Sequence, residues 1–232
     1  MSEVFTFDYV LDYAKRGLPA ALFVRLCEDR VADQEPTWHE YGVLGHMHAV
    51  YSAATQLFQM TGMDIRAAAA LHDIGKFQNL KRAFSLVDRT GSPGNAYYNH
   101  EAVSADFAQG AGLQLADCLT IRLHHFAYLS IKDQSLIIKL RGDQENFLRW
   151  MLLCAADAVG KGWTPAQREQ RSQIAEKFER LSAIFHYDRN NTVLLTALAA
   201  VREWELPEVP VFTGRQTHSQ PAEVRQPTPR FN

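Results

Sequence analysis

The sequence is poor in cysteine and has no long hydrophobic run. Its three cysteines, Cys27, Cys118 and Cys154, are widely spaced and form no Cys-x-x-Cys pair, which disfavours a disulfide framework and a zinc ribbon. No uninterrupted apolar stretch approaches the roughly 18–20 residues that span a bilayer. Residues 5–16 carry charges where a signal peptide would be apolar. We therefore expect a cytoplasmic protein that does not associate with membranes.

The chain also lacks a strong charge of either sign. Its formal net charge is −2, with 22% charged residues, so no overall basic field is available to hold a nucleic-acid backbone. Strong non-specific nucleic-acid binding is therefore not expected. Neither a Walker phosphate loop nor a Gly-x-Gly-x-x-Gly motif is present, which gives no support to NTP-driven or dinucleotide redox chemistry.

No pair of alternating Val/Ile/Thr-rich runs joined by a tight glycine turn is found, whereas helical periodicity extends from residue 5 to about 205. The pattern predicts an all-α fold with one domain over 1–205. Helices are expected near 5–16, 19–33, 40–60, 64–75, 96–110, 113–128, 143–160, 165–185 and 190–204. From residue 207 onward lie five of the nine prolines, a composition that predicts a disordered tail over 206–232.

Histidine is concentrated in one part of the chain, because seven of the nine histidines lie between residues 39 and 125. The strongest local feature is the His72-Asp73 pair, which ends an alanine-rich helix and is followed by Ile74, Gly75 and Lys76. Neighbours on a helix point about 100° apart, so a metal above them can bind both. A carboxylate can bridge two cations, whereas the alternative interpretation is a plain helix end with a terminal glycine.

The order of these residues resembles the ligand series of the HD superfamily of metal-dependent phosphohydrolases. The series consists of His48, His72, Asp73, His100, His124 and Asp157, and the resemblance covers residues 36–162. Within the superfamily, the runs 68–76, 99–102 and 153–160 look most like the HD domain of bacterial CCA-adding tRNA nucleotidyltransferases. The resemblance implies a helical bundle, with helices 165–204 after the motif core, and a metal site at its centre.

The resemblance also implies how the metals are held. His48, His72, Asp73 and Asp157 would hold one divalent cation, and His100 and His124 a second, with Asp73 bridging. Imidazole and carboxylate ligands without thiolates suit Fe, Mn, Co, Ni or Zn, with Mg as a further candidate. We therefore expect about two metal ions per chain.

Two departures narrow the expected activity. The segment before residue 36 is too short for a nucleotide-adding fold and the chain has no Gly-Gly pair, so CCA addition is not expected. Leu44 stands where the three-metal cyclic-dinucleotide enzymes carry a glutamate, and their Gly-Tyr-Pro signature is missing. Hydrolysis of cyclic di-GMP is therefore disfavoured.

Some histidines and tryptophans allow two interpretations. His46 and His48 are two residues apart and face nearly opposite ways on a helix, and the 24-residue gap to His72 favours His48 as the ligand. His39 is expected at the surface. His125 is either a partly exposed imidazole or a group that donates a proton to the leaving oxygen. The four tryptophans are expected in the core.

Asp73, Lys76 and His125 are thus the candidate catalytic residues. Four basic residues are candidates for contact with a substrate phosphate, although solvation alone explains many such charges: Lys76, Lys81, Arg82 and Arg122.

The expected activity is metal-dependent hydrolysis of a phosphomonoester or phosphodiester of a nucleotide or an RNA end. It includes 2′,3′-cyclic phosphodiesterase, 2′-nucleotidase and phosphatase activity. The alternative is an HD-type di-iron oxygenase that cleaves a small polyol or phosphonate, since such enzymes share the six-ligand layout. A metal-bearing module without catalysis is the third interpretation.

Overall fold

The structure is a computed structural model that describes residues 5–80, 97–129, 133–188 and 190–205. These residues form helices joined by turns and loops and contain no β-strand, so the predicted all-α class is confirmed. Within the same ranges, no helix is both long enough and apolar enough to cross a membrane. The predicted tail over 206–232 lies outside the described residues.

The helices follow the predicted series closely. They are α1 (Phe7–Gly17), α2 (Ala20–Cys27), α3 (Val43–Thr61), α4 (Arg66–Leu71), α5 (75–80 of the described residues), α6 (His100–Gly110), α7 (Leu115–Leu123), α8 (Asp133–Lys139), α9 (Gln144–Gly160), α10 (Pro165–Ile184) and α11 (Thr192–Glu203). The short α8 was not predicted. The expected helix 64–75 is shorter in the structure, because α4 ends at Leu71 and a turn that contains His72 and Asp73 follows it; α5, which begins at residue 75, was not predicted either.

The start of α10 shows how a local signal fixes a helix end. Thr164 is the N-cap, its hydroxyl accepts the Gln167 N–H at 3.2 Å, and Pro165 occupies the first turn. The Gln167 side chain does not complete a capping box, since it donates instead to the carbonyl of Trp38. This bond ties α10 to the loop before α3.

The core is centred on α3 and α9, which pack against each other, while α11 packs on α9 and α10 on α11. Trp150 of α9 is fully buried beside Phe147 and Phe178. Gly160 permits the close approach of α9 to α3, because a β-carbon there would overlap Val50. Because Gly160 is the last residue of α9 and lies against Val50, α9 ends beside the first half of α3.

Arg171 of α10 fastens the end of α9 to the C-terminal segment. Its buried guanidinium donates hydrogen bonds to four carbonyl oxygens, those of Ala158, Val159, Gly162 and Trp204. Carbonyls at the end of an α-helix lack partners within the helix, and Arg171 supplies hydrogen-bond donors to this end of α9 and to the segment after it.

Candidate metal centre

The turn between α4 and α5 carries the His72-Asp73 pair. Its N–H groups bond three residues back, from Ile74 to Leu71 at 3.2 Å and from Lys76 to Asp73 at 2.9 Å. Gly75 N–H donates to the hydroxyl of Ser104 at 2.9 Å, and a β-carbon at Gly75 would overlap the carbonyl of His100. The glycine therefore lets the first turn of α6 approach Asp73.

Helices α3 and α9 contribute the next two groups. His46 of α3 places Nδ1 3.1 Å from the carbonyl oxygen of Gly160, the last residue of α9. Asp157 lies one turn earlier on α9, and its Oδ1 is 3.2 Å from His46 Nε2. The close crossing of the two helices thus joins residues that are far apart in the sequence.

Four side chains converge on a first metal-binding position. His46 Nε2 is 3.3 Å from Asp73 Oδ2 and 3.3 Å from His72 Nε2. His72 Nε2 is 3.4 Å from Asp73 Oδ2 and 3.8 Å from Asp157 Oδ1. Ligands bound at about 2.1 Å around one cation lie roughly 3.0–3.4 Å apart, so the separations among His46, His72 and Asp73 suit a single metal ion, and Asp157 lies beside them on the side of His46.

A second position adjoins the first on the other side of Asp73. His100 Nε2 lies 2.9 Å from Asp73 Oδ1, and His124 Nε2 lies 3.9 Å from the same oxygen. Asp73 therefore directs one oxygen to each position, which is the arrangement that a bridging carboxylate needs. Ring nitrogens of His100, His124 and His125 also lie within 4.8 Å of one another.

The four converging imidazoles share one tautomer. A backbone carbonyl accepts from Nδ1 in each case, and the bonded pairs are His46 with Gly160, His72 with Ala69, His100 with Tyr97, and His124 with Ile121. Because a carbonyl can only accept, Nδ1 carries a proton, and in the neutral ring the Nε2 lone pair faces the centre. Such backbone contacts are typical of metal-binding histidines.

Among the buried atoms of the described residues that have no hydrogen-bond partner, two face the second position. They are Asp73 Oδ1 and His100 Nε2. Leaving buried acceptors unpaired costs free energy, which a cation bound between them would offset. The residues present therefore fit a divalent metal.

The carboxylates are ionised despite their burial. Desolvation raises the pKa of Asp73, but its interactions with His72, Lys76 and His100 more than offset this effect and hold the pKa well below its usual value. The pKa of Asp157 is also well below its usual value, because Lys161 and His46 outweigh the effect of burial. Both groups are therefore anionic ligands at neutral pH.

The imidazoles differ in their response to this environment. Burial lowers the pKa of His46, but its bonds to Asp157 and Asp73 raise the pKa above the ordinary value. Burial lowers the pKa of His124 to about 3. His124 is therefore neutral and ready to bind a metal, whereas a metal at the first position has to displace a proton from His46.

A cavity of about 460 Å³ opens onto the centre. Two nearly buried lysines, Lys76 and Lys161, line it. Lys76 Nζ is 2.6 Å from Asp73 Oδ2, and Lys161 Nζ is 3.7 Å from Asp157 Oδ2. The hydroxyl of Tyr128 donates to Asp157 Oδ2 at 2.6 Å. The cavity therefore presents both carboxylates and ammonium groups.

His125 follows His124 in a short 3-10 turn and also lines the cavity. Its ring lies 4.6 Å from the ring of His100, and burial together with the field of His124 lowers its pKa far below the ordinary value. A neutral imidazole accepts a proton or binds a metal more readily than it donates a proton. The role of His125 as a proton donor stays a prediction.

The structure corrects the choice between the two histidines of α3. His46, not His48, lies at the centre, while the ring of His48 packs edge-on against Phe7 with 4.8 Å between centroids. Both are buried, at 1% and 3% exposure, so burial did not distinguish them. Residues two apart on a helix point about 200° apart, and sequence spacing alone selected the wrong face.

The basic residues proposed for phosphate contact are only partly brought together. Lys76 lines the cavity, as expected. Arg122 does not line it, because its guanidinium pairs with Asp106 on the outer side of α6 and is 42% exposed. Lys81 and Arg82 lie outside the described residues.

Sequence reasoning missed several groups around the cavity. Lys161 is four residues after Asp157, a helical spacing that could have revealed it. His39 was expected at the surface, but its ring lies 5.2 Å from that of His46. Trp38 was expected in the core, but it is 38% exposed and lines the cavity, as does Tyr98 at 83% exposure. Their placement depends on tertiary contacts that no local pattern records.

Comparison with known proteins agrees with this geometry at the level of the family. The HD domain family matches residues 43–184, which include all the residues of both metal positions. Neither a curated protein nor a solved structure matches the chain significantly, and the resemblance to the CCA-adding enzymes stays a prediction. Members of the family are metal-dependent phosphohydrolases. The chain belongs to the HD domain family.

Proposed function

We propose that this protein is a metal-dependent phosphohydrolase that cleaves a phosphomonoester or phosphodiester of a nucleotide or an RNA end. One observation carries the proposal: a His/Asp cluster with two adjoining positions shares its cavity with the ammonium group of Lys76. Divalent cations at these positions would supply a hydroxide at neutral pH and neutralise phosphoryl oxygens.

Different residues of this chain would bind the metals, attract the substrate and accept a proton. His46, His72 and Asp157 would hold one cation, His100 and His124 the other, and Asp73 both. Lys76 and Lys161 would attract the anionic group of the substrate, since each lies within 4 Å of a cluster carboxylate and lines the cavity. His125 would accept a proton or add a third nitrogen to the second position.

The cavity mouth supports a substrate that carries a planar ring. Trp38 and Tyr98 are exposed at the cavity, and stacking of a base on an aromatic side chain contributes about 1–3 kcal/mol. The net charge of −2 favours a single nucleotide or a strand end over a long nucleic acid. Both features support the nucleotide class.

The test is hydrolysis by protein purified without oxygen and loaded separately with Fe, Mn, Co, Ni, Zn or Mg. Phosphate release is measured from 2′-, 3′- and 5′-nucleotides, with glycerol phosphate as the substrate without a ring, and 2′,3′-cyclic nucleotides are assayed by ring opening. Hydrolysis that is lost in Asp73→Ala but kept in Asp8→Ala, an exposed carboxylate of α1, is the expected result. Oxygen consumption without hydrolysis would replace this proposal with the di-iron oxygenase.

A further inference from the structure

Gln34 is a buried side chain of the loop before α3, with 2% exposure. Its amide nitrogen donates to the carbonyl of Tyr41 at 3.2 Å and to that of Gly42 at 2.9 Å. Since carbonyls can only accept, both amide hydrogens are committed to the backbone and the orientation of the amide is fixed. The amide oxygen then faces Lys76, whose Nζ donates to it at 2.9 Å.

Lys76 therefore has two fixed acceptors. One N–H is directed at Gln34 Oε1 and another at Asp73 Oδ2, at 2.9 and 2.6 Å. An ammonium group has three donors, and Lys76 lines the cavity, so one donor remains for a ligand there. The two acceptors define where the ammonium sits on the cavity wall.

The two acceptors respond differently to a bound metal. Asp73 belongs to both metal positions, and a cation on its oxygens offsets the negative charge that attracts Lys76. Gln34 is neutral and is not part of the cluster, so its hold on Lys76 does not depend on that charge. In the metal-loaded protein, Gln34 would therefore be the acceptor that keeps the ammonium in place.

Gln34 also connects Lys76 to the helix that carries His46. The carbonyl of Gly42 accepts both the Gln34 amide and the backbone N–H of His46, the latter at 3.0 Å. One short network thus joins the first turn of α3 to the ammonium group. The lysine and the histidine are positioned from the same point of the backbone.

We propose that Gln34 is a positioning residue for anion binding, which holds the Lys76 ammonium toward a phosphoryl group in the cavity. The inference rests on the proposed function for the identity of the anion. Gln34 is connected to the metal ligands only indirectly, through Lys76 and through the backbone at the start of α3. Its contribution should therefore disappear when Lys76 is removed.

The test is a double-mutant cycle on the binding of inorganic phosphate to the full, metal-loaded chain, measured by calorimetry. Gln34→Met and Lys76→Met should each weaken phosphate binding by roughly 10- to 100-fold, as loss of a hydrogen bond to a charged group implies. The double variant should bind phosphate no more weakly than Lys76→Met alone. Metal content should be unchanged throughout.

Gln144→Met is the matched control, because Gln144 also bonds a backbone carbonyl, that of Phe185, but does not line the cavity. It should bind phosphate like the wild type. If Gln34→Met does not fold, Gln34→Asn replaces it, since its shorter side chain cannot bond both carbonyls and Lys76 together. Its loss of affinity should likewise vanish in the Lys76→Met background.

The inference is overturned if the wild type binds no phosphate, if Gln34→Met binds it normally, or if the losses add in the double variant. Additive losses would indicate a purely structural role. Hydrolysis assays on the same proteins separate the two proposals. The expected binding pattern without any ester hydrolysis would refute the proposed function alone, and hydrolysis with an unaffected Gln34→Met would refute the positioning role alone.

Discussion

Replacing Gly75 by alanine adds one methyl group at the point where α5 approaches α6. The new β-carbon would lie 2.9 Å from both the backbone nitrogen and the hydroxyl of Ser104, and closer still to the carbonyl of His100. Real β-carbons essentially never come within 3.0 Å of such atoms, and the nearest neighbours are backbone. The first turn of α6 must therefore move away from Asp73.

The expected cost follows from this overlap. Overpacking of a tight contact lowers the free energy of unfolding by about 1–3 kcal/mol. For a chain of this length that corresponds to a fall in Tm of roughly 2–12 °C. His100 moves with the turn, and its nitrogen lies 2.9 Å from Asp73 Oδ1, so Gly75→Ala should also reduce metal content at the second position.

The assay combines thermal unfolding with elemental analysis of the purified variant. Gly110→Ala, at the end of α6, is the control, because a β-carbon there would meet nothing within 4 Å and alanine favours helix. Gly110→Ala should keep both stability and metal. A Gly75→Ala protein with wild-type Tm and wild-type metal content would refute the close-approach argument.

Three further changes test other parts of the structure. Asp73→Ala should empty both metal positions, whereas His124→Ala should lower the content from about two metals to about one per chain, as measured by elemental analysis. The free energy of unfolding of the metal-free protein should fall as the pH drops from 6.5 to about 3. In this range His124 takes up a proton in the unfolded chain but stays neutral when it is buried in the folded protein. His124→Asn should reduce this pH dependence, as measured by urea titrations. Arg171→Met should lower the free energy of unfolding by about 3 kcal/mol or more, since it removes four hydrogen bonds between a buried guanidinium and backbone carbonyls, whereas Arg168→Met on the exposed side of α10 should change it little.

The sequence was sufficient to predict the longer helices and most of the residues that meet at the centre. Hydrophobic periodicity reports which residues are helical, and His72-Asp73 sits at a helix end where a glycine allows another helix to approach. The order of the histidines and of Asp157 then assigns them to different elements of the bundle, with His100 on α6, His124 directly after α7 and Asp157 on α9. These signals are local, and the predicted helices are found in the structure with small changes in where they begin and end.

The face of α3 could not be predicted in the same way. Residues 43–50 are all buried, so the helix has no polar side to show which way it is turned. Both His46 and His48 have apolar neighbours, and only the crossing of α3 with α9 decides that His46 meets Asp157. A gap counted along the chain does not contain that information.

Residues outside helices were the hardest to assign. Gln34 and Trp38 lie in a loop without periodicity, and their roles depend on bonds to Lys76 and to α10. Arg122 was assigned to the site because it is close to the histidines in sequence. In the structure it pairs with Asp106 away from the cavity. Charge and proximity along the chain do not determine which side chains share a cavity.

The most direct test of the metal centre compares two matched variants of α3, His46→Leu and His48→Leu. Metal per chain is measured by elemental analysis after identical purification, with circular dichroism to verify the fold. His46→Leu should lose the metal held with His72 and Asp157, whereas His48→Leu should retain the wild-type content, because leucine can still pack against Phe7. Full metal content in His46→Leu together with loss in His48→Leu would contradict the centre described here.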